Sequence, residues 1–193
     1  MRPATRPPRS GVGLRPALLG ALLVGLAGLA GPAALRAAEP APLPTVAEVD
    51  LARYAGTWYE IALIPNRFQK QCVADTRATY RPQDGGIEVI NRCRTADGQT
   101  DEAKGRAKIV PDSGNAKLRV SFFWPFYGDY WVLALDPDYR NVLVGEPRRQ
   151  YGWVLSRERE MTAARFEDLM ARAQALGYAR EAFVKTPQTG PVP

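Results

Sequence analysis

No histidine occurs among the 193 residues, and only two cysteines do. The first absence excludes a Ser-His-Asp hydrolase, a His-ligated haem and a His-based zinc centre. Two cysteines cannot replace it with a four-thiolate metal site. No glycine loop of the phosphate-cradling Walker kind is present either, so no cofactor and no metal are expected. Acid is missing from the start of the chain: residues 1–38 carry Arg2, Arg6, Arg9, Arg15 and Arg36 and no Asp or Glu. Without those five arginines the 26 basic side chains fall to 21 against 20 acidic ones, a net of +1 in place of +6. The basicity therefore belongs to the leader, and the rest carries no footprint for a nucleic acid.

What is present is the composition of one globular domain, 46% hydrophobic and 24% charged. Ahead of it, residues 17–30 form an uncharged apolar stretch of 14 residues. That is shorter than the roughly 20 needed to span a bilayer and suits the core of a secretory signal peptide. The reading is a signal peptide over residues 1–38, cleaved near Ala38, followed by a proline-rich extended tether over residues 39–48. Leu26-Ala-Gly is followed by Leu29 and not by a lipid-accepting cysteine, so the exported protein is expected to be soluble in the periplasm or cell envelope.

From residue 56 the chain becomes short β-branched and aromatic runs separated by turn residues. Eight strands are expected, over residues 56–63, 73–81, 87–94, 104–110, 116–123, 130–136, 141–146 and 151–156. Lys117 to Phe122 alternates polar with apolar, as a half-buried strand does. Eight strands on short connections suit an all-β, eight-stranded antiparallel up-and-down barrel, because closure leaves no unpaired edge; an open sandwich is the alternative. Then the period lengthens. Phe166, Leu169, Met170, Ala173 and Leu176 recur at helical spacing between Thr162 as N-cap and Gly177 as C′ residue, which predicts a C-terminal helix packed outside the barrel.

Gly56-Thr-Trp58-Tyr-Glu60, Asp136-Pro-Asp138-Tyr139-Arg140 and Arg157, in that order on those strands, resemble the three signature regions of the lipocalin family. With Phe122-Phe-Trp-Pro-Phe-Tyr-Gly128 and Trp153-Val-Leu-Ser-Arg157, the resemblance is to the bacterial group related to apolipoprotein D, and it makes residues 49–185 a lipocalin domain with a disordered tail at 186–193. Strand parity agrees: in an up-and-down barrel Gly56, Trp58, Asp138, Tyr139 and Arg157 all fall at one end. There the Arg157 guanidinium is expected over the Trp58 indole, as a structural plug of the barrel floor and not as a catalytic pair.

The odd-numbered loops form the other end, the mouth. Phe68, Phe122, Trp124, Phe126 and Tyr127 are expected to rim a pocket there, with Arg67, Lys70, Arg148 and Arg149 facing an anionic head group. Alternation from an inward Trp58 turns Glu60 and Ala62 inward and Tyr59, Ile61 and Leu63 outward. Cys72 and Cys93 sit at the outer ends of two strands joined by the Asp84-Gly-Gly turn, so antiparallel pairing brings them together for a disulfide in an oxidising compartment.

The function expected is storage or transport of a small lipidic ligand, without turnover. The resemblance implies fatty acids or lysophospholipids, held by a monomer or dimer with peripheral contact to membrane. Two other readings are a cysteine-dependent enzyme using a free Cys72 on the same barrel, and a membrane-surface module built on the helix and leader.

Overall fold

The computed structural model describes residues 42–190. The expected signal peptide, residues 39–41 of the tether and residues 191–193 lie outside them.

A four-residue helix α1 (Leu51–Tyr54), capped by the Asp50 side chain on the Ala52 and Arg53 amides, opens the domain. Eight strands follow: β1 (Gly56–Leu63), β2 (Cys72–Gln83), β3 (Gly86–Thr95), β4 (Thr100–Ile109), β5 (Lys117–Phe123), β6 (Phe126–Leu135), β7 (Asn141–Gly145) and β8 (Gly152–Ser156). Each pairs antiparallel with the next, and β8 and β2 both pair with β1, so the sheet is a closed barrel. β6 starts four residues before its expected position because Phe123 already pairs with Phe126 across a two-residue hairpin turn at a cis Trp124–Pro125 bond. Helix α2 (Ala163–Ala175) has Thr162 as its N-cap, accepting from the Arg165 amide, and Gly177 follows it at φ +87°. Phe166, Leu169, Met170 and Ala173 bury its apolar stripe against the outer wall with Ala62, Leu133, Ala134, Leu143 and Val154.

The register of β1 against β8 shifts between Glu60 and Ala62. This bulge overturns the simple alternation expected for the strand: Glu60 stays opposite the inward Leu155, but Ala62 turns outward beside Val154, and both Ile61 and Ala62 pack under α2.

Both flanks of the barrel are more tightly bound than the sequence suggests. Leu43 is buried with the helix cluster, the Val46 amide donates to the Val132 carbonyl at 3.0 Å, and the Val49 amide donates to the Gly114 carbonyl at 2.8 Å. Residues 43–48 are therefore part of the domain and not a free tether. Gly114, at φ +56°, is needed at this crossing, since a Cβ there would lie 2.1 Å from the Ala47 carbonyl oxygen.

At the other flank β9 (Val184–Lys185) pairs with the upper part of β1. β1 and β2 pair only over Gly56–Tyr59, below this point. Residues 186–190 fill the seam above. The Thr186 amide donates to the Ile61 carbonyl, Gln188 Nε2 donates to the carbonyls of Glu60 and Thr76, and the Thr189 and Gly190 amides donate to Asp75 Oδ1 at 2.7 and 3.0 Å. The tail expected to be disordered from residue 186 is thus a strap as far as Gly190, because its amides find acceptors that β1 and β2 no longer give each other.

Candidate functional site: a cup sealed at one end

At the lower end Trp58 is fully buried, and the centre of the Arg157 guanidinium lies 3.9 Å from its ring centroid. Arg157 Nη1 donates to the Thr57 carbonyl at 2.9 Å, Nη2 to the Arg53 carbonyl at 2.7 Å and Nε to the Tyr139 carbonyl at 3.3 Å. Gly56, at φ +93°, lets the guanidinium approach, since a Cβ would stand 3.3 Å from Nη1. Arg53 in turn lies 4.0 Å over the Tyr139 ring, whose hydroxyl accepts from the Asp50 amide. Asp138 departs from the expected plug: it is exposed, and its carboxylate faces Arg140.

Three tyrosines complete the floor. Tyr80 OH donates to Tyr130 OH at 2.9 Å, and the Tyr54 and Tyr130 hydroxyls lie 2.7 Å apart. Burial pushes Tyr80 up to about 12 and Tyr54 and Tyr130 well above the ordinary tyrosine value, so all three are neutral near pH 7. With Leu118, Val132, Val142, Val144 and Leu155 they fill the lower half of the barrel.

The upper half is open. Register carries the inward face from Trp58 to Ala78, Asn91 and Ala103 on successive strands, and from Ala107 to Val120 and Gly128. Ala78, Asn91 and Val120 are only half-buried, and Ala103 and Gly128 are exposed, although all five face the barrel axis. Solvent therefore reaches the inner wall. Small residues make the room: alanine, glycine and valine dominate this wall.

Besides the Asn91 amide, a carboxylate sits on it. Glu60, 3% exposed, accepts from Gln69 Nε2 at 2.8 Å and from Thr186 Oγ1 at 2.6 Å. Burial raises its pKa, against the lowering effect of those two hydrogen bonds. Gln69 Oε1 accepts from Trp153 Nε1 at 3.0 Å, so loop, wall and C-terminal strap are joined at one carboxylate. From Trp153 an aromatic ladder climbs to the mouth, with ring centroids 6.3 Å apart to Tyr151 and 5.9 Å from Tyr151 to Phe68. Arg67 lies 5.0 Å over Phe68.

The other expected rim residues divide. Phe122 lies over Gly105, where a Cβ would come within 2.8 Å of its ring. Phe123, Trp124 and Phe126 form an aromatic tip, 75%, 70% and 70% exposed, with the two phenylalanines stacked. Tyr127 points to the outer wall, where Lys108 and Arg119 lie 5.2 and 5.7 Å from its ring. Arg149 is turned away from the opening: its Nε donates to the Leu176 carbonyl at 2.6 Å, at the C-terminus of α2, where a cation is favoured. Tyr80 and Trp153 are placed inward by cross-strand register, opposite Gly56 and Val144, which alternation within β1 does not reach. No periodic signal marks Tyr54 or Gln69, which lie outside the strands.

Cys72 and Cys93 are disulfide-bonded, with Cα atoms 5.5 Å apart. Both thiols of the chain are consumed.

A sealed antiparallel cup with an indole and a guanidinium at its floor defines a ligand-binding β-barrel. The chain belongs to the lipocalin family, whose members bind small hydrophobic ligands: the model of the lipocalin-like domain matches residues 49–188. The temperature-induced lipocalin-1 of Arabidopsis thaliana is 40% identical over 164 residues, covering 80% of this chain and 88% of that protein. The outer membrane lipoprotein Blc of Escherichia coli K12 is 38% identical over 152 residues, covering 78% and 86%. Apolipoprotein D of Macaca fascicularis is 35% identical over 155 residues, covering 75% and 79%. Among solved structures, insecticyanin of the tobacco hornworm Manduca sexta superposes with a TM-score of 0.63 at 20% identity, over 76% of this chain and 85% of that one. The family is generally ligand-binding and not catalytic.

Proposed function

We propose that this lipocalin carries an amphipathic lipid, a fatty acid or a lysophospholipid, in the cell envelope and releases it unchanged. The observation that supports this is the inner wall of small, mostly apolar residues open above a sealed floor. A chain lowered into that cup exchanges water for apolar contact at up to about 0.8 kcal/mol per buried methylene. Arg67, Lys70 and Arg148 at the mouth suit an anionic head group. Against turnover stand the absence of histidine and the engagement of both thiols in the disulfide, which leave Cys72 no nucleophilic sulfur. The apolar leader at residues 17–30 and the outer-membrane lipoproteins among the relatives support export, with residues 1–38 removed as a signal peptide.

The test is delipidated protein titrated with saturated fatty acids of increasing length, followed through the fluorescence of the wall residue Trp153. Affinity rises severalfold with each added pair of methylenes until the cup is full. A flat series overturns the acyl pocket.

The exposed tip favours a second, compatible reading: Phe123, Trp124 and Phe126 touch the membrane interface while ligand is exchanged. Flotation with lipid vesicles is expected to be lost in F123S/W124S/F126S, and unchanged flotation rejects it.

A further inference from the structure

Three hydroxyls at the cup floor share two hydrogen bonds. Tyr80 donates to Tyr130, and one more bond joins Tyr130 with Tyr54. If Tyr130 donates in that second bond, the Tyr54 proton is left over; if Tyr54 donates, the Tyr130 proton is. Either way the relay has three protons for two hydrogen bonds, and among the described residues no other acceptor takes the third. Tyr54, Tyr80 and Tyr130 are 2%, 4% and 9% exposed, so this donor is not simply bathed in solvent. A buried donor without a partner is costly, and native structures rarely tolerate one.

The three tyrosines come from α1, β2 and β6, and each ring is held by its neighbours: Tyr54 stands 4.9 Å from Trp58 and 5.5 Å from Tyr80, and Tyr80 stands 6.0 Å from Tyr130. The relay is therefore fixed before any ligand arrives. A ligand that fills the cup and excludes water from its floor must supply an oxygen to the spare proton or leave the donor bare.

We propose that the tyrosine relay is a recognition site for a neutral acceptor oxygen at the buried end of the ligand, so that the lipid this cup selects is oxygenated at the end remote from its head group. This rests on the carrier reading above and adds to it the chemistry of the far end. A ketone, ether or hydroxyl oxygen fits. A carboxylate fits less well, because among the described residues no cationic side chain hydrogen-bonds to the three hydroxyls, and the Arg157 charge that acts on Tyr54 and Tyr80 is already engaged with three carbonyls. The high tyrosine pKa values keep the relay protonated and donating throughout the physiological range.

The probes are hexadecanoate and 15-oxohexadecanoate, which match in carbon count and differ by one acceptor oxygen near the tail. Affinities are measured for the protein and for Y54F/Y80F/Y130F, a set of near-isosteric changes that removes donors and acceptors together. The ratio of the two affinities is expected to shift about tenfold towards hexadecanoate in the triple variant. An unchanged ratio overturns the inference and leaves the carrier reading standing. Binding of neither probe overturns both. Should the triple variant fail to fold, the unaltered protein decides the matter through the infrared stretch of a carbon-13-labelled ketone. A hydrogen-bonded, lowered frequency in the complex is expected, and a frequency equal to that in hydrocarbon overturns the inference.

Discussion

Arg157 and Trp58 form a single lock: the guanidinium stacks 3.9 Å from the indole centroid while its nitrogens reach the carbonyls of three other residues, Thr57, Arg53 and Tyr139. Replacing the charge and the donors together, in R157A, is expected to cost about 2–4 kcal/mol in urea unfolding. R157K keeps a cation but lacks the planar fork and recovers only part of that loss.

Glu60 sets a pH signature. Its native pKa is raised above the ordinary value of 4.5, chiefly by burial, so the folded protein holds a proton that the unfolded chain has already released. The stability linked to it is fully present below 4.5 and is lost as pH rises through the native value. E60Q has no such proton, so its stability relative to the unaltered protein is expected to improve between pH 4 and pH 7 on a flatter curve. Parallel curves for the two proteins would reject the assignment.

Asp75 behaves in the opposite sense. Burial raises its pKa, but the Gly190 and Thr189 amides and the Arg94 and Arg159 charges outweigh burial and lower it overall. Its contribution is present above the ordinary value of 3.8 and disappears as pH falls through the native value. D75N is therefore expected to lose about 1–3 kcal/mol at pH 7 and less at pH 3. Amide exchange at Thr189 and Gly190 should quicken with it.

The disulfide joins positions 21 apart in the sequence, closing a loop that spans β2 and β3. Its removal in C72S/C93S is expected to cost about 3 kcal/mol in the loop-entropy account. Thiol titration of the folded, unreduced protein should find no free sulfhydryl.

The barrel was legible because its signals are periodic or positional. Lys117 to Phe122 shows a clean alternation, Thr162 and Gly177 bracket the helix, and counting strands puts Trp58 and Arg157 at the same end. What escaped lies where one residue changes the phase or where a contact is made between distant segments. A bulge after Glu60 turned Ala62 to the outside, which alternation alone cannot foresee. Arg149 carries the charge expected of a rim residue, but its side chain is drawn to the helix terminus by the carbonyl of Leu176. Tyr54 precedes the first strand and joins Tyr130 across 76 positions of sequence, a pairing that no local pattern encodes. The strap at 186–190 reads as a polar tail until the seam between β1 and β2 supplies its acceptors.

That strap makes the upper slit depend on a segment remote in sequence from both strands it joins. Without residues 186–190 the carbonyls of Glu60, Ile61 and Thr76 and the carboxylate of Asp75 lose donors that the folded protein gives them. A cargo fused close behind Gly190 is therefore expected to crowd the slit and loosen the wall beside Ile61 and Asp75 more than the same cargo attached ahead of residue 42.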